Sequence, residues 1–174
     1  KKIMKKLLLS ILVSASMIAC TSQETKTKAK TETTGTVTAS GPDVDLIKKS
    51  ITAFANGDWA TYASTYADTA KSYHNIWPSN TDTTVGVKIP VLIEGFKKQR
   101  ELMDGNLTMG GAIYEVVTMP DGSKYGHVWV DFTWKNKKGE VGKSVLFDSY
   151  GINKDGKISF EWPIYDTKDV VNLK

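Results

Sequence analysis

The chain has 174 residues, 40% apolar and 24% charged, with a formal net charge of +4 and a pI near 9.0. Four of its basic residues, Lys1, Lys2, Lys5 and Lys6, lie in a leading segment that has no acidic residue. The remainder carries 23 − 4 = 19 basic against 19 acidic residues, which excludes a nucleic-acid or anionic-lipid footprint. Cys20 is the only cysteine, so no internal disulfide is available.

Taken in chain order, the basic start is followed by the apolar run Leu7 to Val13 and by small residues up to Cys20. This is the pattern of a secretory signal peptide over residues 1–19, too short to span a bilayer. Met17-Ile18-Ala19-Cys20 resembles the bacterial lipobox, which implies lipidation of Cys20 and attachment to membrane lipid. Thr21, not an aspartate, follows that cysteine. By the export rule of that class, this implies an outer-membrane location facing the periplasm, within the cell envelope. Residues 20–42 then read as a lipidated cysteine and a disordered tether, because Thr, Lys, Glu, Ser, Ala and Gly bury too little to offset ordering entropy. Such a spacer spans about 25 Å.

Residues 43–174 form one domain's length. Asp43 or Asp45 can cap a helix running through Ala55, with Leu46, Ile47, Ile51 and Phe54 at helical spacing. Asn56-Gly57-Asp58 stops it, and Asp58 can cap a second short helix carrying Trp59, Tyr62 and Tyr66. An extended piece from Lys71 to Trp77 ends at Pro78, and a polar loop leads to a third helix over about Pro90 to Met103. Four β-like runs follow: Leu107 to Met119, Tyr125 to Trp134, Lys143 to Ile152 and Lys157 to Tyr165. Asp121-Gly122, Lys138-Gly139 and Asp155-Gly156 punctuate them as hairpin turns. Helices followed by a strand meander argue an α+β domain, its helices packed on one face of a curved antiparallel sheet. No zinc spacing, P-loop, dinucleotide fingerprint or Gly-x-Ser-x-Gly elbow is present.

Two stretches carry a resemblance: Phe54-Ala-Asn-Gly-Asp-Trp-Ala-Thr-Tyr-Ala-Ser-Thr-Tyr-Ala-Asp68 and Phe147-Asp-Ser-Tyr-Gly-Ile-Asn-Lys-Asp-Gly-Lys-Ile158. With the element order, they resemble the cone-shaped NTF2-like superfamily over Val44 to Asp166. That superfamily holds ketosteroid isomerases, SnoaL-type polyketide cyclases and scytalone dehydratase. The resemblance implies a general base at His74 and an oxyanion-hole carboxylic acid at Asp148. The family's oxyanion-hole tyrosine falls at Ser50, a departure that tells against steroid-type isomerisation. Histidine titrates near neutrality, and a carboxyl in an apolar cone can stay protonated and donate a hydrogen bond; ketosteroid isomerase is the established example of the latter.

The run Tyr125 to Trp134 raises a question of facing. His127, Trp129, Asp131 and Thr133 share one face of their strand, while Val128, Val130, Phe132 and Trp134 share the other. Hydrophobicity puts the second row in the core; the resemblance implies that the mixed row lines the cone. On that second view Tyr62, His74, Trp129, Asp131, Asp148, Tyr150, Glu161 and Tyr165 line a site for a small, partly apolar ligand. Val130, Phe132 and Trp134 would then join Phe147, Phe160, Trp162 and Ile164 on an outer face that implies a homodimer. The acidic residues and histidine come from separate elements without ligand spacing, so neither a metal nor a cofactor is expected. Three functions follow: a ligand- or partner-binding lipoprotein domain, a proton-transfer enzyme using His74 and Asp148, or a structural dimer with a filled cone.

Overall fold

In the computed structural model, residues 34–74 and 86–166 are described; the segment expected to be a signal peptide, Cys20, most of the expected tether, and Asn75 and Trp77 beside His74 lie outside them. Helix α1, Pro42–Asn56, starts with Pro42 in its first turn and ends on Gly57 in the left-handed conformation (φ 69°). Gly41 stands at the N-cap, without a side-chain cap. Asp43 therefore does not cap the helix; it lies in the first turn, where acidic residues complement the helix dipole, and accepts from Lys124 Nζ at 2.6 Å. Asp58 does cap α2, Trp59–Ser64, accepting from the Thr61 backbone N–H at 3.0 Å.

Helix α2 ends earlier than the aromatic spacing predicts. Thr65 donates to the Tyr62 carbonyl at 2.6 Å, and its own carbonyl accepts from Ile158 N–H at 3.0 Å. The chain is thereby drawn into strand β2, Tyr66–Ser72, which places Tyr66 on a strand. Strand β3 is the short Val87–Lys88, and α3 is Ile89–Arg100. Past Arg100 the hydrogen bonds tighten, Leu102 N–H to Gln99 O and Met103 N–H to Arg100 O. The predicted extension of this helix to Met103 is thus a closing turn.

The meander comprises β4 (Thr108–Thr118), β5 (Lys124–Lys135), β6 (Val141–Ile152) and β7 (Ile158–Tyr165). Each predicted hairpin glycine, Gly122, Gly139 and Gly156, takes positive φ. A further strand, β1 (Thr36–Thr38), pairs antiparallel with Val116–Thr118 at the sheet's β4 edge. This corrects the reading of residues 20–42 as wholly disordered. Edge pairing is made by backbone groups and needs no apolar side chain, so composition does not reveal it. The seven strands run in the order β1-β4-β5-β6-β7-β2-β3; the β2–β7 pair is parallel and the rest are antiparallel.

The described residues form one compact unit. Its core lies between the helices and one face of the sheet: Val44, Ile47 and Ile51 of α1 join Val128, Val130, Phe132 and Trp134 of β5 and Tyr150 of β6 in one cluster. Gly126 sets the approach of α1, since a Cβ there would stand 2.0 Å from Ile47 Cδ1. The result is an α+β domain in which the helices close one side of a curved sheet. Among the described residues no helix is long and apolar enough to cross a membrane.

Candidate functional site

Strand register decides which rows face the helices. Val128 pairs with Asp148, and Asp148 with Pro163, so these three share a face. The inward rows are Val128, Val130, Phe132 and Trp134 on β5, then Ser144, Leu146, Asp148 and Tyr150 on β6, then Glu161, Pro163 and Tyr165 on β7. Trp129 pairs with Phe147 and Phe147 with Ile164, on the outer face.

A cavity of about 110 Å³ opens among these inward rows and the helices, lined by Phe54, Tyr62, Phe96, Phe132, Leu146 and other apolar groups. His74, Asp148, Tyr150, Glu161 and Tyr165 line it as well. Trp129 and Asp131 do not. Trp129 is 39% exposed, whereas Val128, Val130, Phe132 and Trp134 are 0–7% exposed. The expectation that the mixed row lines the cone is therefore wrong. Turning Asp131 and His127 inward would bury a charge and an imidazole while exposing two large aromatics, and the four apolar side chains carry more transfer free energy. The outer face instead carries Trp129, His127 and Phe147 in mutual ring contact, with centroids 5.1–6.1 Å apart, and Phe160, Trp162 and Ile164 on β7.

The enclosed part of the cavity is built by tyrosines and two carboxyls. Tyr62 donates to Glu161 Oε2 at 3.0 Å, and the Tyr66 hydroxyl lies 2.9 Å from Tyr62 Oη and also on Glu161 Oε2. Ser50, fully buried, reaches only the Tyr66 hydroxyl, at 3.5 Å, and does not line the cavity. Burial raises Glu161 above its ordinary value, though hydrogen bonds, Tyr66 and Tyr62 among the donors, oppose the shift. Asp148 is held well above the usual carboxylate range, first by burial and then by the charge of Glu161, against a hydrogen bond from Tyr150. Its Oδ1 has no hydrogen-bond partner among the described residues. Of the two coupled acids, Glu161 has the hydroxyl donors that favour a carboxylate, so it is the ionised member and Asp148 keeps the proton.

His74 sits at the other side of this lining. Its Nδ1 is 3.1 Å from the Tyr165 hydroxyl, its ring packs 6.1 Å from Phe96, and Nε2 has no partner among the described residues. Burial lowers its pKa, which leaves a neutral imidazole. Among the described residues no three His, Cys, Asp or Glu side chains group as metal ligands.

Several lining residues escaped sequence reasoning. Phe132 and Trp134 line the cavity, as plain alternation predicts and against the facing that the resemblance implies. Gln99 and Arg100 were read only as part of a helix. A cation between apolar positions at the end of α3 was the available signal for Arg100.

No protein-family model matches the sequence, and no curated protein matches it. Solved structures do. The BvnE pinacolase of Penicillium brevicompactum matches at a TM-score of 0.58 and 10% identity, over 76% of this chain and 88% of that one. A ketosteroid isomerase-like protein of Erwinia carotovora matches at 0.52 and 17%, over 70% and 91%. IdmH of Streptomyces antibioticus, a candidate polyketide cyclase, matches at 0.52 and 14%, over 75% and 96%. The fold is NTF2-like. An NTF2-like cone closed by helices and lined by isolated polar groups is common to many activities, so the fold alone assigns none of them.

Proposed function

We propose that this NTF2-like domain binds a small, partly apolar carbonyl compound in its cone, with protonated Asp148 as hydrogen-bond donor to the carbonyl oxygen. One observation carries the reading: the buried Asp148 carboxyl lines an apolar cavity and its Oδ1 has no partner among the described residues, a setting in which burial raises its pKa and favours the protonated form. A neutral acid in that setting costs least when a ligand acceptor completes it. At about 110 Å³, against the roughly 150 Å³ that takes benzene, the space limits the buried part of the ligand to at most about one six-membered ring. Cyclohexanone is the test ligand, and quenching of tryptophan fluorescence, to which Trp134 in the cavity wall contributes, is the readout. Binding that falls at least about tenfold in Asp148→Ala and less in Asp148→Asn, which keeps a donor, is expected. Equal binding by all three proteins would refute the assignment.

A second reading has its own support, because His74 lines the same cavity as Asp148 and its Nε2 has no partner among the described residues. With Nδ1–H donating to Tyr165, Nε2 is a bare base. It would take the α-proton of the bound ketone while Asp148 donates to the developing enolate oxygen, and return of the proton to carbon restores the ketone. An isomerase, dehydratase or cyclase would build on that step. Deuterium exchange at the α-carbons of cyclohexanone, followed by proton NMR, separates the two. Exchange lost in His74→Ala supports an enzyme; binding without exchange leaves a binding protein.

The proposal extends to location and assembly. Cys20 would carry the lipid that holds the domain at the envelope, probed by mass spectrometry and by membrane fractionation of Cys20→Ala. The aromatic outer face, with Trp129, Val145 and Ile164 exposed, would bury itself in a homodimer. Light scattering should give twice the chain mass for the parent protein and the single mass for Trp129→Asp.

A further inference from the structure

Arg100 is a charged cavity residue that neither the donor at Asp148 nor the base at His74 uses. It ends α3 and lines the cavity beside Gln99. Its Nη2 donates to the carbonyls of Phe54 at 2.6 Å and Ala55 at 3.2 Å, satisfying the last turn of α1. The guanidinium carbon lies 5.5 Å from the Phe54 ring centre and 5.8 Å from that of Trp59. These contacts fix the plane of the group and leave its charge uncompensated. Among the described residues it makes no ion pair, and Nη1 is buried without a partner. Burial pulls against its charged form, yet arginine stays protonated.

A half-buried cation with a spare donor, at the edge of an apolar cavity, selects for an anion. The two carboxyls of the cavity do not supply one to it: Asp148 is neutral and Glu161 is engaged by Tyr62 and Tyr66. Glu161 also repels a second negative charge from the enclosed end, which orients an anionic group towards Arg100. We infer that Arg100 is a specificity-determining residue and that the ligand is a small keto acid. Its carboxylate takes the spare guanidinium donor, its apolar body fills the cavity, and its carbonyl accepts from Asp148. The inference rests on the carbonyl-binding reading above and adds the substrate class.

The test compares three probes on the unaltered purified protein by calorimetry: cyclohexanone, 4-oxocyclohexanecarboxylate and its carboxamide. The carboxylate should bind at least about tenfold more tightly than the carboxamide, the range of a charge-assisted hydrogen bond. In Arg100→Met that advantage should vanish, and in Arg100→Lys it should persist in part; circular dichroism checks that the α1 terminus survives each change. Equal affinities for carboxylate and carboxamide, with cyclohexanone bound, would overturn the keto-acid inference and leave the carbonyl site standing. A parent protein that binds none of the three would overturn both. Comparison of the ligand pair on the unaltered protein keeps the inference falsifiable even if an Arg100 variant fails to fold.

Discussion

The inner and outer faces of strands β5 to β7 are built from similar residue types and have opposite fates. Inside, Val128, Val130, Phe132 and Trp134 meet the helices, and the polar groups among them are neutral or satisfied by tyrosines. Outside, His127, Trp129 and Phe147 stack on one another, with Asp131 and Thr133 on the same row. Aromatic content does not separate these faces. What separates them is whether a charge interrupts the row, because an unpaired charge costs more to bury than an aromatic ring costs to leave half exposed. Asp148 and Glu161 are the exceptions on the inner face, and each is tolerated for a stated reason: one keeps its proton and the other has hydroxyl donors.

The sharpest way to break that contrast is to put one charge on each face. Val130→Asp should cost more than about 4 kcal/mol, enough to unfold the domain, since an unpaired charge enters a sealed core. Trp129→Asp should change the stability of the monomer by less than about 1 kcal/mol, read from urea midpoints. Similar losses from both would mean that the faces are misassigned. Truncation probes packing in the same way. Phe132→Ala should cost about 3–5 kcal/mol, and Phe147→Ala, only half-buried on the outer face, clearly less. Next in size is Tyr66→Phe, which removes a donor from an ionised carboxylate; about 1.5–3 kcal/mol is expected, whereas no loss would show that Glu161 is not charged.

The subtlest prediction concerns pH. Asp148 keeps its proton in the folded state, but in the unfolded chain it titrates near 3.8. Between those pKa values the folded state binds more protons, so stability falls as pH rises above about 4 and levels off beyond the raised folded value. Asp148→Asn removes this contribution. Denaturation at pH 4 and pH 7 should therefore show the parent losing more stability than the variant on going to neutral pH. An identical pH dependence would mean that Asp148 is an ordinary carboxylate.

Much of this was legible in the chain. The turn glycines, the α1 stop at Gly57 and the cap at Asp58 act through local backbone rules, and each lies where those rules place it. So do the four long strands, within a few residues. The misreadings share a different cause. Strand β1 exists because β4 offers an edge, Tyr66 lies on a strand because Ile158 holds Thr65, and Trp129 faces outward because the helices seal the opposite row. These are tertiary facts that one segment does not contain. The site divides along the same line. The resemblance singled out His74 and Asp148, and both line one cavity, whereas Ser50 marks a departure and Tyr62 and Tyr66 supply the hydroxyls around Glu161. Arg100 went unread because its weak signal, a cation between apolar positions, gains meaning only when α3 packs the guanidinium against Phe54 and Trp59.

Carbon NMR of the side-chain carboxyls tests the central claim most directly, with Asp148→Asn and Glu161→Gln assigning the two signals. The account predicts that Asp148 remains protonated at neutral pH and that its signal responds to cyclohexanone, with Glu161 ionised throughout. An Asp148 signal that titrates in the ordinary aspartate range, near pH 4, would contradict it.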